Sequence, residues 1–252
     1  MPVKGSLLRY MLSLAVRNRM TGLLALFSLV LAGASLTLTY LTPGTERRTF
    51  FDMAYLGLEL LAVATPILAS ISLQILEFDQ RTSWLVLARP VTRPGYAWGR
   101  FWGVVGAAWI NILLAAVVIL FLVMPMGGSL EPFFLPVFLS ALLEALIIGA
   151  LVCLATFVTT SYVSSLVVTT GVVLLGYLSP TLMFLANKAG NPLLAAMISL
   201  VYWLLPHLAV FSVRDLVSPV EPWYLSMLAA YAITYSGAVL AVAVIVFRRR
   251  EV

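Results

Sequence analysis

The sequence predicts an all-α integral membrane protein with six transmembrane helices and an amphipathic N-terminal helix at the membrane surface. Of the 252 residues, 62% are hydrophobic and only 10% are charged, whereas soluble domains carry roughly a quarter charged residues. The apolar residues form long continuous runs rather than an alternating pattern, which favours helices over a β-barrel. We therefore expect one membrane domain that spans residues 1–252.

Six apolar segments are long enough to cross the hydrocarbon core, which takes about 20 helical residues. They are residues 23–41, 55–76, 101–124, 134–158, 165–185 and 226–247. A seventh segment, residues 192–213, is also apolar but contains Pro206 and His207.

The distribution of positive charge favours six spans. With the N-terminus inside, eleven of the 15 Lys and Arg residues lie on the cytoplasmic side, and a seventh span would leave only nine there. Cytoplasmic loops are normally the positive ones. We therefore expect both termini in the cytoplasm, and residues 192–213 as one or two short re-entrant or interfacial helices at the outer leaflet, broken at Pro206.

Residues 1–22 have the pattern of a helix that lies along the cytoplasmic surface. Arg9, Ser13 and Arg17 follow one another at a spacing of four, so they share one face, while apolar residues cover the rest. Such helices lie in the membrane interface. The alternative is a basic flank that only sets the orientation of the first span.

Composition excludes most catalytic chemistry. A single histidine and a single cysteine, Cys153, cannot build the usual metal site of three or four ligands. No Gly-Lys-Ser/Thr phosphate loop occurs, because the only lysines, Lys4 and Lys188, follow Val3 and Asn187. We expect no enzyme activity, no cofactor and no metal in this chain, and no nucleic-acid partner.

Two acidic residues fall inside predicted spans, where an ionisable group is by default a candidate for function. Glu59 is four or five residues into its span and is expected to snorkel to the outer surface. Glu144 lies near the middle of its span. It either contributes to a translocation path or subunit contact, or is a protonated, hydrogen-bonded acid that orients helices.

The predicted cytoplasmic loop, residues 77–100, is the most informative stretch. Acidic residues close the preceding span, a short apolar helix over residues 82–88 ends before Pro90, and basic residues lead into the next span. An exposed helix carrying Trp84, Leu85 and Leu87 is suited to dock in a groove of another protein. The alternative is a surface helix that lies among lipid headgroups.

This loop resembles that of the permease subunits of ABC-2-type transporters. The matching positions are Glu77, Thr82, Leu85, Leu87, Arg89-Pro90-Val91-Thr92-Arg93 and Gly99-Arg100. The six spans, the N-terminal helix and residues 204–211 agree with that family's layout.

The resemblance implies an ATP-driven exporter in the cytoplasmic membrane. In that family the permease forms a homodimer or pairs with a sister permease, and binds two copies of a separate ATPase subunit that holds ATP and Mg. The loop helix is the coupling helix, and the N-terminal surface helix supports the same contact. The residues expected to contact the ATPase are Glu77, Asp79, Arg81, Thr82, Trp84, Leu85, Leu87, Arg89, Pro90 and Arg93.

Two other functions fit the same composition. A stand-alone secondary transporter would use Glu59 or Glu144 as a proton relay. A membrane scaffold would transport nothing. A neighbouring gene for an ATPase would favour the ABC-type assignment.

Overall fold

The fold is described from a computed structural model of the chain. The structure describes residues 46–79, 93–124, 132–159, 161–188, 191–215 and 221–249, with a few single positions between residues 13 and 37. These ranges are almost entirely helical and contain no strand. The α-helices are α1 (Glu46–Asp79), α2 (Arg93–Val123), α3 (Phe134–Val158), α4 (Tyr162–Tyr177), α5 (Ser179–Lys188), α6 (Pro192–Leu204) and α7 (Pro222–Arg249).

The protein is a helical membrane protein. In the described ranges, α1, α2, α3 and α7 are each long and apolar enough to cross a membrane, and the bent pair α4 and α5 makes a fifth span if counted as one. The predicted first span, residues 23–41, lies outside the described residues except for single positions, as does most of the predicted N-terminal helix. Six spans and the surface helix therefore stay predictions.

Helix α3 is the centre of the bundle. It packs against α1, α2, α4 and α7, and residues on all its faces are buried. Gly149 allows the close approach of α2, because a Cβ at this position would lie 2.6 Å from Cγ2 of Val105. Between spanning helices such tight packing is the main attraction, since lipid is as apolar as the side chains.

The predicted fifth span is not one straight helix. Helices α4 and α5 meet at Leu178 with a bend of 63°. Pro180 explains the break, because it has no N–H to donate to the carbonyl of Gly176 and its ring would clash there. The apolar run from 165 to 185 predicted one span, and the structure divides this segment into two helices.

Residues 192–213 are not one continuous helix. Helix α6 has 13 residues and ends at Leu204, and Pro206 follows immediately. Two short 3-10 helices then cover Leu208–Phe211 and Val213–Asp215. We call residues 205–215 the strap, because this irregular segment packs against α3, α4 and α5.

The loop predicted over residues 77–100 is shorter than expected. Helix α1 continues to Asp79 and α2 already begins at Arg93. Pro94 is compatible with this early start, because the first turn of a helix has no use for its missing N–H. Thirteen residues, 80–92, connect the two helices; the predicted coupling helix falls among them and lies outside the described residues.

Candidate functional site

An ion pair between a buried carboxylate and a partly exposed arginine joins the strap to α1. Nε of Arg214 lies 3.3 Å from Oε2 of Glu59, and the two side chains are 28% and 11% exposed. The expectation that Glu59 snorkels to the surface is therefore wrong. Helix α1 begins at Glu46, so Glu59 lies more than three turns inside the helix rather than near its end. A carboxylate at this position needs a cation beside it, and the strap supplies one.

A second buried pair lies next to the first. The hydroxyl of Tyr177, at the end of α4, donates a hydrogen bond to Oε1 of Glu144 on α3. Glu144 is 1% exposed. Glu59 is within electrostatic range of both, and Arg214 is within range of Tyr177. Four elements thus bring two carboxylates, one guanidinium and one phenol into a single group, which we call the charged cluster.

Three tyrosines of α7 satisfy backbone groups of the strap and of the adjoining end of α6. Tyr224 donates to the carbonyl of Val210 at 3.1 Å, and Tyr235 donates to the carbonyl of Leu204 at 3.3 Å. The hydroxyl of Tyr231 accepts from the backbone N–H of His207 at 2.9 Å. Irregular backbone among spanning helices is tolerated only where protein groups replace water as partners. The tyrosines provide those partners.

The ring of His207 packs edge-on against Tyr202, with the ring centres 4.3 Å apart. Its Nδ1 lies 3.5 Å from the hydroxyl of Tyr231. Burial lowers the pKa of the His207 imidazole below its ordinary value, so the ring is neutral at pH 7. Tyr231 therefore meets both the backbone and the ring of the same residue.

Arg100, near the start of α2, connects three helices. It is 3% exposed and donates to the carbonyl of Ser70 on α1 at 3.4 Å and to the hydroxyl of Tyr96 at 3.5 Å. Its guanidinium also lies 5.8 Å from the ring centre of Phe157 on α3. These contacts join α2 to both α1 and α3.

Three aromatic rings extend this junction to the last helix. Phe247 of α7 stacks on Phe157 with ring centres 4.7 Å apart, and on Tyr96 at 5.7 Å. Stacked rings of this kind add to packing beyond their buried area. We call Arg100, Tyr96, Phe157 and Phe247 the anchor, because they hold α1, α2, α3 and α7 together at the start of α2.

Few of the residues predicted to contact an ATPase can be placed. Glu77, Asp79 and Arg93 lie in the helical ends of α1 and α2. Ser13 is helical and exposed. The remaining predicted positions are outside the described residues: Arg9, Arg17, Arg81, Thr82, Trp84, Leu85, Leu87, Arg89 and Pro90.

The described ranges contain no group of three or more metal-ligating side chains. No known protein-family model matches the chain, and no curated protein sequence matches it either.

Sequence reasoning missed Arg214, Tyr177 and the tyrosines of α7. The predicted topology puts Arg214 outside the membrane, on the same side as Glu59, but does not pair the two residues. Tyr224, Tyr231 and Tyr235 are spaced by seven and four residues, which places them on one helix face. That spacing could have predicted that the three tyrosines face the same neighbouring segment.

Proposed function

We propose that this chain is the permease subunit of an ATP-driven ABC-2-type exporter in the cytoplasmic membrane. The observation that carries the proposal is the sequence of residues 77–100, with its Glu77, Thr82, Leu85, Leu87 and Arg89-Pro90-Val91-Thr92-Arg93 positions. A bundle of long apolar helices is compatible with this role. The lack of a Gly-Lys-Ser/Thr motif assigns ATP hydrolysis to a partner.

The proposed assembly contains two ATPase subunits and two permeases, either two copies of this chain or this chain and a sister permease. Both termini and residues 80–92 face the cytoplasm. ATP and Mg belong to the ATPase, and this chain binds lipid along its exposed apolar surface. Trp84, Leu85 and Leu87 on the coupling helix are the contacts that dock in the ATPase.

The helices on either side of the loop transmit the movement of the ATPase. Closure of the ATPase pair around ATP displaces residues 80–92 and with them the ends of α1 and α2. The anchor supports this step, because Arg100 and its partners make the starts and ends of these helices move together with α3 and α7. The first, second and fifth predicted spans then rock at the dimer seam and open a path outward.

Co-purification tests the proposal. The full chain with an affinity tag is purified from its native membrane in mild detergent, and mass spectrometry is expected to find an ATPase with a Gly-x-x-x-x-Gly-Lys-Ser/Thr motif. The double substitution Trp84→Asp and Leu87→Asp should remove that ATPase. Trp223→Asp is the matched control, because Trp223 is 61% exposed and lies on α7. Equal recovery of the ATPase with all three chains contradicts the proposal.

The charged cluster favours a second candidate function, a stand-alone proton-coupled transporter. Glu59 and Glu144 were predicted separately, and the structure brings them within electrostatic range of each other. Paired intramembrane carboxylates are typical of proton relays. Uptake or release of protons by liposomes that contain only this chain would favour this function over the ATP-driven one.

A further inference from the structure

The strap is attached to the bundle by side chains rather than by helical hydrogen bonds. Its polar attachments include the ion pair of Arg214 with Glu59 and the hydrogen bonds of Tyr224 and Tyr231. All of these can break without unwinding a spanning helix. The strap can therefore leave its seat while α1, α3, α4 and α7 stay folded.

The seat of the strap is apolar and closely fitted. Leu205, Leu208, Phe211 and Val213 are buried, Leu208 completely. Gly176 allows the backbone of the strap to lie directly against α4, since a Cβ at this position would be 2.7 Å from the carbonyl oxygen of Pro206. The strap thus fills a closely fitted apolar space against α3, α4 and α5.

The ion pair connects the strap to α1, the helix that leads into the predicted coupling loop. Glu59 and Glu77 are both on α1, and 18 residues of helix separate them by about 27 Å. Helix α1 is continuous between the two positions although it contains Pro66, a residue that spanning helices tolerate. Displacement of its loop end therefore moves Glu59 relative to Arg214.

We infer that the strap is a gate and that the Glu59–Arg214 ion pair is its latch, so that movement of α1 breaks the pair and lets residues 205–215 leave their seat against α3, α4 and α5. The direction of opening, toward the outside, and the force on α1 rest on the proposed function. The latch itself rests on the geometry of the cluster.

The remaining charged and polar groups of the cluster set the strength of the latch. When the pair separates, the carboxylate of Glu59 stays beside Glu144, which is also acidic, and Tyr177 is already bound to Glu144. Separation therefore takes the guanidinium of Arg214 away from a buried carboxylate, a change that proteins disfavour. The closed strap is the resting state, and work done on α1 is needed to open it.

Thiol labelling tests the latch in the full chain. Cys153 is buried and is the only cysteine, so Cys153→Ala gives a background without thiols. Val213→Cys then reports on the strap, because Val213 is 1% exposed. A membrane-impermeant maleimide is added from the outer side of sealed membrane vesicles. We expect slow labelling of this parent and labelling at least roughly tenfold faster with Glu59→Gln.

Two further variants separate a latch from general damage. The exchange of both charges, Glu59→Arg with Arg214→Glu, should return labelling to the slow rate of the parent. Asp52→Asn is the matched control, since Asp52 is an exposed carboxylate on the same helix, seven residues before Glu59, and should leave the rate unchanged. A second reporter, Val105→Cys in the core, stays unlabelled in every variant that remains folded.

Three results would each overturn the gate. They are equal labelling rates for the parent and Glu59→Gln, fast labelling of the charge-exchanged chain, and labelling only from the cytoplasmic side. Addition of the ATPase and a non-hydrolysable ATP analogue is a separate arm. If Glu59→Gln speeds labelling and the ATPase with the analogue does not, the latch stands and the ATP-driven function fails.

Discussion

Gly176 and Pro206 approach so closely that a Cβ on Gly176 would lie 2.7 Å from the carbonyl oxygen of Pro206. The clash would involve backbone, which cannot rotate away as a flexible side chain can. Helix α4 and the strap therefore fit together only because position 176 carries no side chain.

Gly176→Ala should displace the strap and lower the stability of the protein by about 1–3 kcal/mol. Gly171→Ala is the control on the same helix, because nothing lies within 4 Å of its Cβ position, and it should be neutral or slightly stabilising. Thermal unfolding in detergent measures both. A Gly176→Ala protein as stable as the parent would contradict the close fit.

The sequence predicted the long spans well because their signal is simple. Unbroken apolar runs marked α1, α2, α3 and α7 to within a few residues at most ends. Two of the errors have clear physical sources. The bend between α4 and α5 depends on Pro180, which changes the hydrogen bonding but hardly changes the hydropathy. The depth of Glu59 within its helix depends on where α1 begins. Because Arg47 and Arg48 are charged, the predicted apolar run starts nine residues after the helix does.

The charged cluster was only half predictable. Glu59 and Glu144 stand out as acidic residues in apolar surroundings, so sequence alone selected them. Their partners Arg214 and Tyr177 come from other elements, more than 30 residues away from each of them. Which residues meet depends on how the strap folds back over α3 and α4, and no local pattern encodes that.

Tyr177→Phe should destabilise the protein by about 1–3 kcal/mol, because Glu144 would lose its buried hydrogen-bond donor. Tyr162→Phe is the matched control, since Tyr162 is on the same helix and 46% exposed. Chemical unfolding of the two variants gives the comparison. If both substitutions have the same small effect, the Glu144–Tyr177 bond adds nothing to the stability of α3 and α4.

Arg100→Ala should lower the free energy of unfolding by about 2 kcal/mol, because two hydrogen bonds and a cation–π contact of the anchor are lost. Arg100→Lys keeps the charge but not the planar fork, so we expect an intermediate loss. Arg48→Ala removes an exposed arginine from α1 and serves as the control. Hydrogen exchange in α1 around Ser70 should speed up most for Arg100→Ala, less for Arg100→Lys and not at all for Arg48→Ala. Unchanged exchange there in Arg100→Ala argues against the anchor.

Stability should fall as the pH drops below about 6.5, the ordinary pKa of histidine. Burial lowers the pKa of His207 in the folded protein, so the unfolded chain binds a proton at a pH where the folded chain does not. Acid therefore favours unfolding, and the loss is complete once the pH is below the folded pKa. His207→Gln should flatten this part of the profile of melting temperature against pH. An unchanged slope in the variant would assign the effect to other groups.

The central claim is that residues 80–92 deliver the work of a separate ATPase to this membrane domain. ATP hydrolysis by the purified ATPase, measured with the full chain reconstituted in liposomes, tests this most directly. We expect the chain to bind the ATPase and change its hydrolysis rate several-fold, and the Trp84→Asp, Leu87→Asp chain to leave the rate at that of the free ATPase. An ATPase whose rate responds equally to both chains, or to neither, would contradict the account.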